Sequence, residues 1–157
     1  MIEADPTNFA SLKKKHRKAF ITHSCLSPNR YPAKMTFNQA FNRGRLVYGS
    51  VKQWIKEQKI LPREIQVQCF PLYSILLALN QSTIDFLSLD VEGSELDVLQ
   101  TIPFDKVDIK MITAEVAHQK LKTSMQKFME YNGYETLLKM QRDDGGVNDI
   151  IFRKKGR

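Results

Sequence analysis

Apolar and polar positions along the chain change period several times, and each change marks an element. In "EIQVQCFPL", Ile65, Val67 and Cys69 alternate with Gln66 and Gln68, the two-residue period of a strand. "YSILLALN" follows as an apolar helix. "IDFLSLDVE" is nearly continuous in apolar residues up to Leu89, which predicts a buried strand. In "GSELDVLQTI", Leu96 and Leu99 predict a helix with one inward face, capped near Ser94 after a sharp turn at Gly93. "IKMITAEVA" (109–117) reads as another strand. Thr123 and Gln126 have capping-box spacing for the helix "SMQKFMEYN", which Gly133 should stop. "YETLLKMQ" and "NDIIFRK" predict a strand pair around the turn "RDDGGVN", whose Asp143, Asp144, Gly145 and Gly146 are turn chemistry.

The opening of the chain is abrupt. Met1, Ile2 and Glu3 read as the close of a strand. Asp5 suits an N-cap and Pro6 the first helical position, where a missing N–H costs nothing. Phe9, Leu12 and His16 recur at helical spacing, and "AFITHSCLS" (19–27) reads as a short strand ending in a polar turn. From 28 to 64 the period is lost. "SPNRYP" is turn-rich and "FNRGRLVYGS" carries two glycines, although Ser50 and Gln53 have capping-box spacing for a short helix that includes Trp54. This stretch reads as an insertion loop with marginal local structure. Alternating strands and helices that end in a hairpin imply an α/β fold, a mostly parallel sheet with an antiparallel edge.

Composition narrows the class. The 157 residues fit one domain, and 42% hydrophobic with 26% charged residues is the ordinary globular range. No apolar run is long enough to cross a bilayer, and the first residues do not read as a signal peptide; localisation stays open between the cytoplasm, by absence of signals, and an endomembrane lumen if the natural protein carries an upstream anchor. Net charge is +7, much of it in "KKKHRK" (13–18) and "RKKGR" (153–157). No aromatic residues interleave these clusters and no zinc-finger or RNP pattern is present, so they read as solvated surface rather than a nucleic-acid interface. Cys25 and Cys69 are far apart, without metal-ligand spacing, and read as two ordinary buried thiols; the alternative, a disulfide, finds no support in the spacing.

Candidate chemistry lies at the strand ends, where open α/β sheets bind ligands. Glu3 closes the first strand, Asp90 and Glu92 the "IDFLSL" strand, and Glu115 the next. Alternation of side chains along a strand puts Asp90 and Glu92 on the same side. Glu95, in the first turn of the following helix, reads as a structural residue favoured by the helix dipole. Carboxylates could hold a hard cation, but their number alone does not argue for a metal, and none is expected. His118 follows the Glu115 strand and has the pKa range of a general base, with an exposed loop histidine as the plainer reading. His16 and His23 read as surface or strand residues.

"IEADPTNFASLKKK", "VQCFPLYSILLALN", "IDFLSLDVEGSELDVL", "ITAEVAHQ" and "NGYETL", taken in order, resemble the FkbM-type S-adenosylmethionine-dependent methyltransferases, and within them the insect Star-like proteins. The resemblance spans both ends of the chain and is poor from about residue 28 to 64. It implies a class I methyltransferase fold: one domain with a Rossmann-like, mostly parallel sheet and an antiparallel C-terminal hairpin. It also implies S-adenosylmethionine as cofactor, with Glu3 on the ribose hydroxyls, Cys25 and Leu26 beside the adenine, and Asp90 near the methyl donor. Asp90, Glu92 and His118 would then be catalytic and Glu115 would face the acceptor, a hydroxyl of a small molecule or sugar. The glycine-rich turn that such enzymes carry after their first strand is missing here. The resemblance therefore implies an N-terminally truncated fold with exposed sheet edges and weak cofactor binding. The alternative is a non-catalytic Star-like protein that uses the fold to bind a protein client in trafficking.

Overall fold

A computed structural model describes residues 1–40, 44–49, 63–116, 119–140 and 148–156. The chain falls into two compact units, Met1–Pro71 and Leu72–Arg157.

In the N-terminal unit, strand β1 (Ile2–Glu3) runs into helix α1 (Pro6–Lys13) through the expected cap. The Asp5 carboxylate accepts the N–H groups of Thr7 and Asn8 at 2.7 and 3.1 Å, and Pro6 starts the helix. Asp5 also accepts from Nε2 of Gln39 at 2.9 Å, which ties the helix start to a distant strand. Partial burial pushes the Asp5 carboxyl up, but the hydrogen bonds from Asn8, Gln39 and Thr7 outweigh it and hold the group below its usual range. β1 pairs in parallel with β2 (Thr22–His23). A second sheet joins β3 (Cys25–Leu26), β4 (Ala33–Gln39), β5 (Arg45–Leu46) and β6 (Arg63–Phe70) in the order β3-β6-β4-β5. β6 is parallel to β3 and antiparallel to β4. Phe37, Leu46, Val67, Cys25 and Cys69 form its buried cluster.

Two expectations change here. The stretch read as an insertion loop holds β4, hydrogen-bonded to β6 from Ala33 to Gln39. The alternation of Met35 and Phe37 with Thr36 is too short to stand out beside the turn residues before it. The expected helix at 50–59, which includes Trp54, lies outside the described residues. Cys25 and Cys69 are register partners on β3 and β6 and form a disulfide, not two thiols. A spacing along the chain carries no information about which strands pair.

The C-terminal unit begins with helix α2 (Leu72–Ala78) and contains β7 (Thr83–Leu89), helix α3 (Glu95–Gln100), β8 (Asp108–Val116), helix α4 (Gln119–Tyr131), β9 (Tyr134–Met140) and β10 (Asn148–Lys154). Its sheet order is β7-β8-β10-β9. β7 and β8 are parallel, with Leu89 opposite Ala114, and the β9–β10 hairpin lies antiparallel along β8. Val98, Leu99, Ile112, Ala114, Met125, Met129, Ile150 and Phe152 are buried. Tyr134 is buried with them, and its hydroxyl donates to the Ile109 carbonyl at 2.6 Å. Gly133, at φ +85°, follows α4 as anticipated, whereas α4 begins at Gln119, ahead of the expected cap at Thr123.

The expected mostly parallel Rossmann-like sheet is overturned. The described residues form two mixed four-stranded sheets, one parallel strand pair and four helices, and only β1–β2, β3–β6 and β7–β8 pair in parallel. A parallel pair needs a crossover, usually a helix, whereas β4 and the β9–β10 hairpin return alongside their neighbours in the antiparallel sense. β7 also departs from its reading as a buried strand. It lies at the sheet edge and Phe86 is 55% exposed. An apolar run shows only that a strand can be covered on both faces, not that it is.

Candidate active site

The carboxyl ends of the parallel pair β7–β8 bring three acids together. Asp90 stands one residue beyond β7, and the pairing of Leu89 with Ala114 carries it alongside Glu115 of β8. After Asp90 the chain turns in the left-handed region, with Glu92 at φ +54° and Gly93 at φ +105°. A side chain at Gly93 would meet nothing within 4 Å, so the glycine serves backbone conformation and not close packing. Glu92 has no such freedom, and the turn has to be held.

Glu95 does the holding. Its side chain reaches back from the first turn of α3. Oε1 accepts the N–H groups of Val91 at 3.0 Å and Gly93 at 3.1 Å, and Oε2 accepts that of Gly93 as well, at 3.1 Å. Ser94 occupies the N-cap position but makes no side-chain cap bond. Glu95 is only 4% exposed, and a carboxylate so placed requires these donors. One ligand oxygen from each of Asp90, Glu95 and Glu115 can be chosen so that all lie within 4.8 Å of one another. On the far side of β8, Asp149 of β10 is the register partner of Glu115.

Such crowding moves protons. Burial first, then the charge of Asp90 and a hydrogen bond with it, then the charges of Glu92 and Glu95, push the Glu115 carboxyl up to about 8. Burial also raises Glu95, with a smaller contribution from Asp90, against the lowering effect of its backbone donors. The cluster therefore retains the Glu115 proton at neutral pH, where an isolated carboxyl would have lost it. It offers both hydrogen-bond donors and acceptors to a hydroxyl, and negative charge to a cationic group.

The other candidates divide between the units. Glu3, Cys25 and Leu26 lie in the N-terminal unit; Asp90, Glu92 and Glu115 lie in the C-terminal one. Oε1 of Glu3 accepts the Asp5 N–H at 2.7 Å. Cys25 is bound to Cys69, and both Cys25 and Leu26 are buried. The turn at Glu92 breaks the strand alternation that was to set it beside Asp90, and its charge reaches Glu115 from outside the close group. His118 lies outside the described residues. Sequence reasoning took Glu95 as structural, which its bonds to the turn bear out, and missed its closeness to Asp90 and Glu115. The signal for Glu95 was present: a long acidic side chain two residues after a glycine turn can fold back onto that turn's N–H groups.

The family model described as the methyltransferase FkbM domain matches residues 1–136 of the chain. No curated protein and no solved structure matches it.

Proposed function

The chain belongs to the FkbM methyltransferase family, and we propose that it is an S-adenosylmethionine-dependent methyltransferase domain that transfers methyl to a hydroxyl oxygen. The observation that carries this reading is the convergence of Asp90, Glu95 and Glu115 at the carboxyl ends of β7 and β8. Their donor set suits the cofactor, whose sulfur and amino group are cationic and whose ribose has adjacent hydroxyls. When bound, S-adenosylmethionine supplies an electrophilic methyl group on a positively charged sulfur.

The residues of the chain supply position and proton management. Asp90 would face the cofactor's cationic end. The Glu115 carboxyl, protonated at neutral pH, would donate a hydrogen bond that orients the acceptor hydroxyl. The Asp90 carboxylate or His118 would take the hydroxyl proton as the new bond forms. Glu92 would contact the acceptor from the turn, which Glu95 keeps in shape.

The test is methyl transfer from radiolabelled S-adenosylmethionine to a panel of sugar and small-molecule hydroxyl acceptors, with wild type, Asp90→Asn and Glu115→Gln. Labelled product that falls at least tenfold in Asp90→Asn supports the proposal. Labelling indifferent to Asp90 and Glu115 overturns the site. Cofactor crosslinking without transfer to any acceptor overturns the catalytic reading and leaves a binding module.

A further inference from the structure

The Cys25–Cys69 bond bears on where the protein is made, independently of what the acid cluster does. β3 is two residues long, and only Cys25↔Cys69 and Leu26↔Phe70 pair it with β6. So short a strand cannot hold its place by ladder hydrogen bonds alone. Among the described residues the cluster around it buries Cys25, Phe37, Leu46, Val67 and Cys69, with Ala4, Met35, Tyr48 and Ile65 partly covered. A covalent bond through the middle of this cluster fixes the two strands against each other where two ladder pairs do not. Cys69 is fully buried and Cys25 is 6% exposed, so no reductant reaches the sulfurs without local opening. A redox switch needs an accessible sulfur. This bond has the placement of a structural one.

We propose that the Cys25–Cys69 disulfide is a structural bond installed during folding by a dithiol–disulfide oxidoreductase, and that the protein therefore matures in an oxidising compartment and not in a reducing cytosol. One cysteine thiolate attacks the oxidised donor's disulfide, forming a mixed disulfide and releasing one donor thiolate. The second cysteine thiolate then attacks the chain sulfur of that mixed disulfide, closing Cys25–Cys69 and expelling the other donor sulfur. Two electrons pass to the donor, which leaves as a dithiol carrying both protons.

The test is acid quenching of cells that make the protein naturally, then alkylation of the full chain in denaturant with and without prior reduction, and intact mass measurement. The proposal expects no adduct before reduction and two after it. Two adducts before reduction would overturn it, because both thiols would be free in the native compartment. A second measurement separates a structural bond from a labile one. Folded protein is held in dithiothreitol without denaturant, and free thiols are counted over time. Thiols that appear at least a hundredfold more slowly than in the denatured chain support a structural bond, and equal rates overturn it.

Discussion

Replacing Glu115 with glutamine should change how stability depends on pH in a direction set by the cluster. In the folded protein the Glu115 carboxyl is pushed from its ordinary 4.5 up to about 8, by burial and by the charges of Asp90, Glu92 and Glu95. Below the ordinary value the group is protonated whether the chain is folded or not, and the stability linked to that proton is fully present. As pH rises through that value toward the folded one, the unfolded chain has lost the proton while the folded chain keeps it. Stability therefore falls across this window, until above about 8 both forms are ionised. Linkage is worth about 1.36 kcal/mol per pKa unit for a fully desolvated group, but Glu115 is only partly buried, and solvent screening reduces the expected loss to roughly 1–2 kcal/mol. Glutamine mimics the protonated form and cannot ionise. Urea unfolding followed by circular dichroism should give Glu115→Gln and wild type nearly equal stability at a pH below about 4, under the ordinary carboxyl value. Near pH 9 the variant should be more stable by roughly 1–2 kcal/mol. A difference that is the same at both pH values, or a variant that is weaker in alkali, would refute the reasoning.

Three further outcomes are expected. Tyr134→Phe removes a buried donor from the Ile109 carbonyl and should lower stability by about 1–2 kcal/mol, seen as a lower urea midpoint at unchanged slope. Glu95→Ala frees the N–H groups of Val91 and Gly93. It should destabilise by about 1–3 kcal/mol and speed amide exchange at those two positions before the β8 core amides are affected. Reducing Cys25–Cys69, which closes a 44-residue separation, should lower stability by about 4 kcal/mol, and a thermal scan with and without reductant measures the loss.

Local chemistry was legible in the chain and pairing was not. Asp5 before Pro6 announced the first helix, because cap and proline each act within one turn. The hairpin of β9 and β10 followed from two alternating runs around a glycine turn. β6 and β8 were visible as strands, yet which neighbours they take depends on contacts far apart in sequence, so the mostly parallel sheet was a wrong inference from correct elements. β7 shows the same limit: "IDFLSL" has the composition of a central strand and sits at an edge. At the site, Asp90 and Glu115 were found because they end adjacent parallel strands. Glu95 was read as structural, which its hold on the turn bears out, but the reach of its side chain toward Asp90 and Glu115 was not weighed. The register that sets Asp149 opposite Glu115 escaped because it exists only through β8–β10 pairing. The disulfide escaped for the same reason.

The central claim is that the acids beyond β7 and β8 hold the methyl donor. Titrating S-adenosylmethionine into isotopically labelled protein, and following amide resonances of wild type and Asp90→Asn, tests it most directly, since the method detects even weak binding. Saturable shifts at Asp90, Val91, Gly93 and Glu115 that vanish in Asp90→Asn are the predicted result. Shifts absent there, or unchanged by the substitution, would contradict the account.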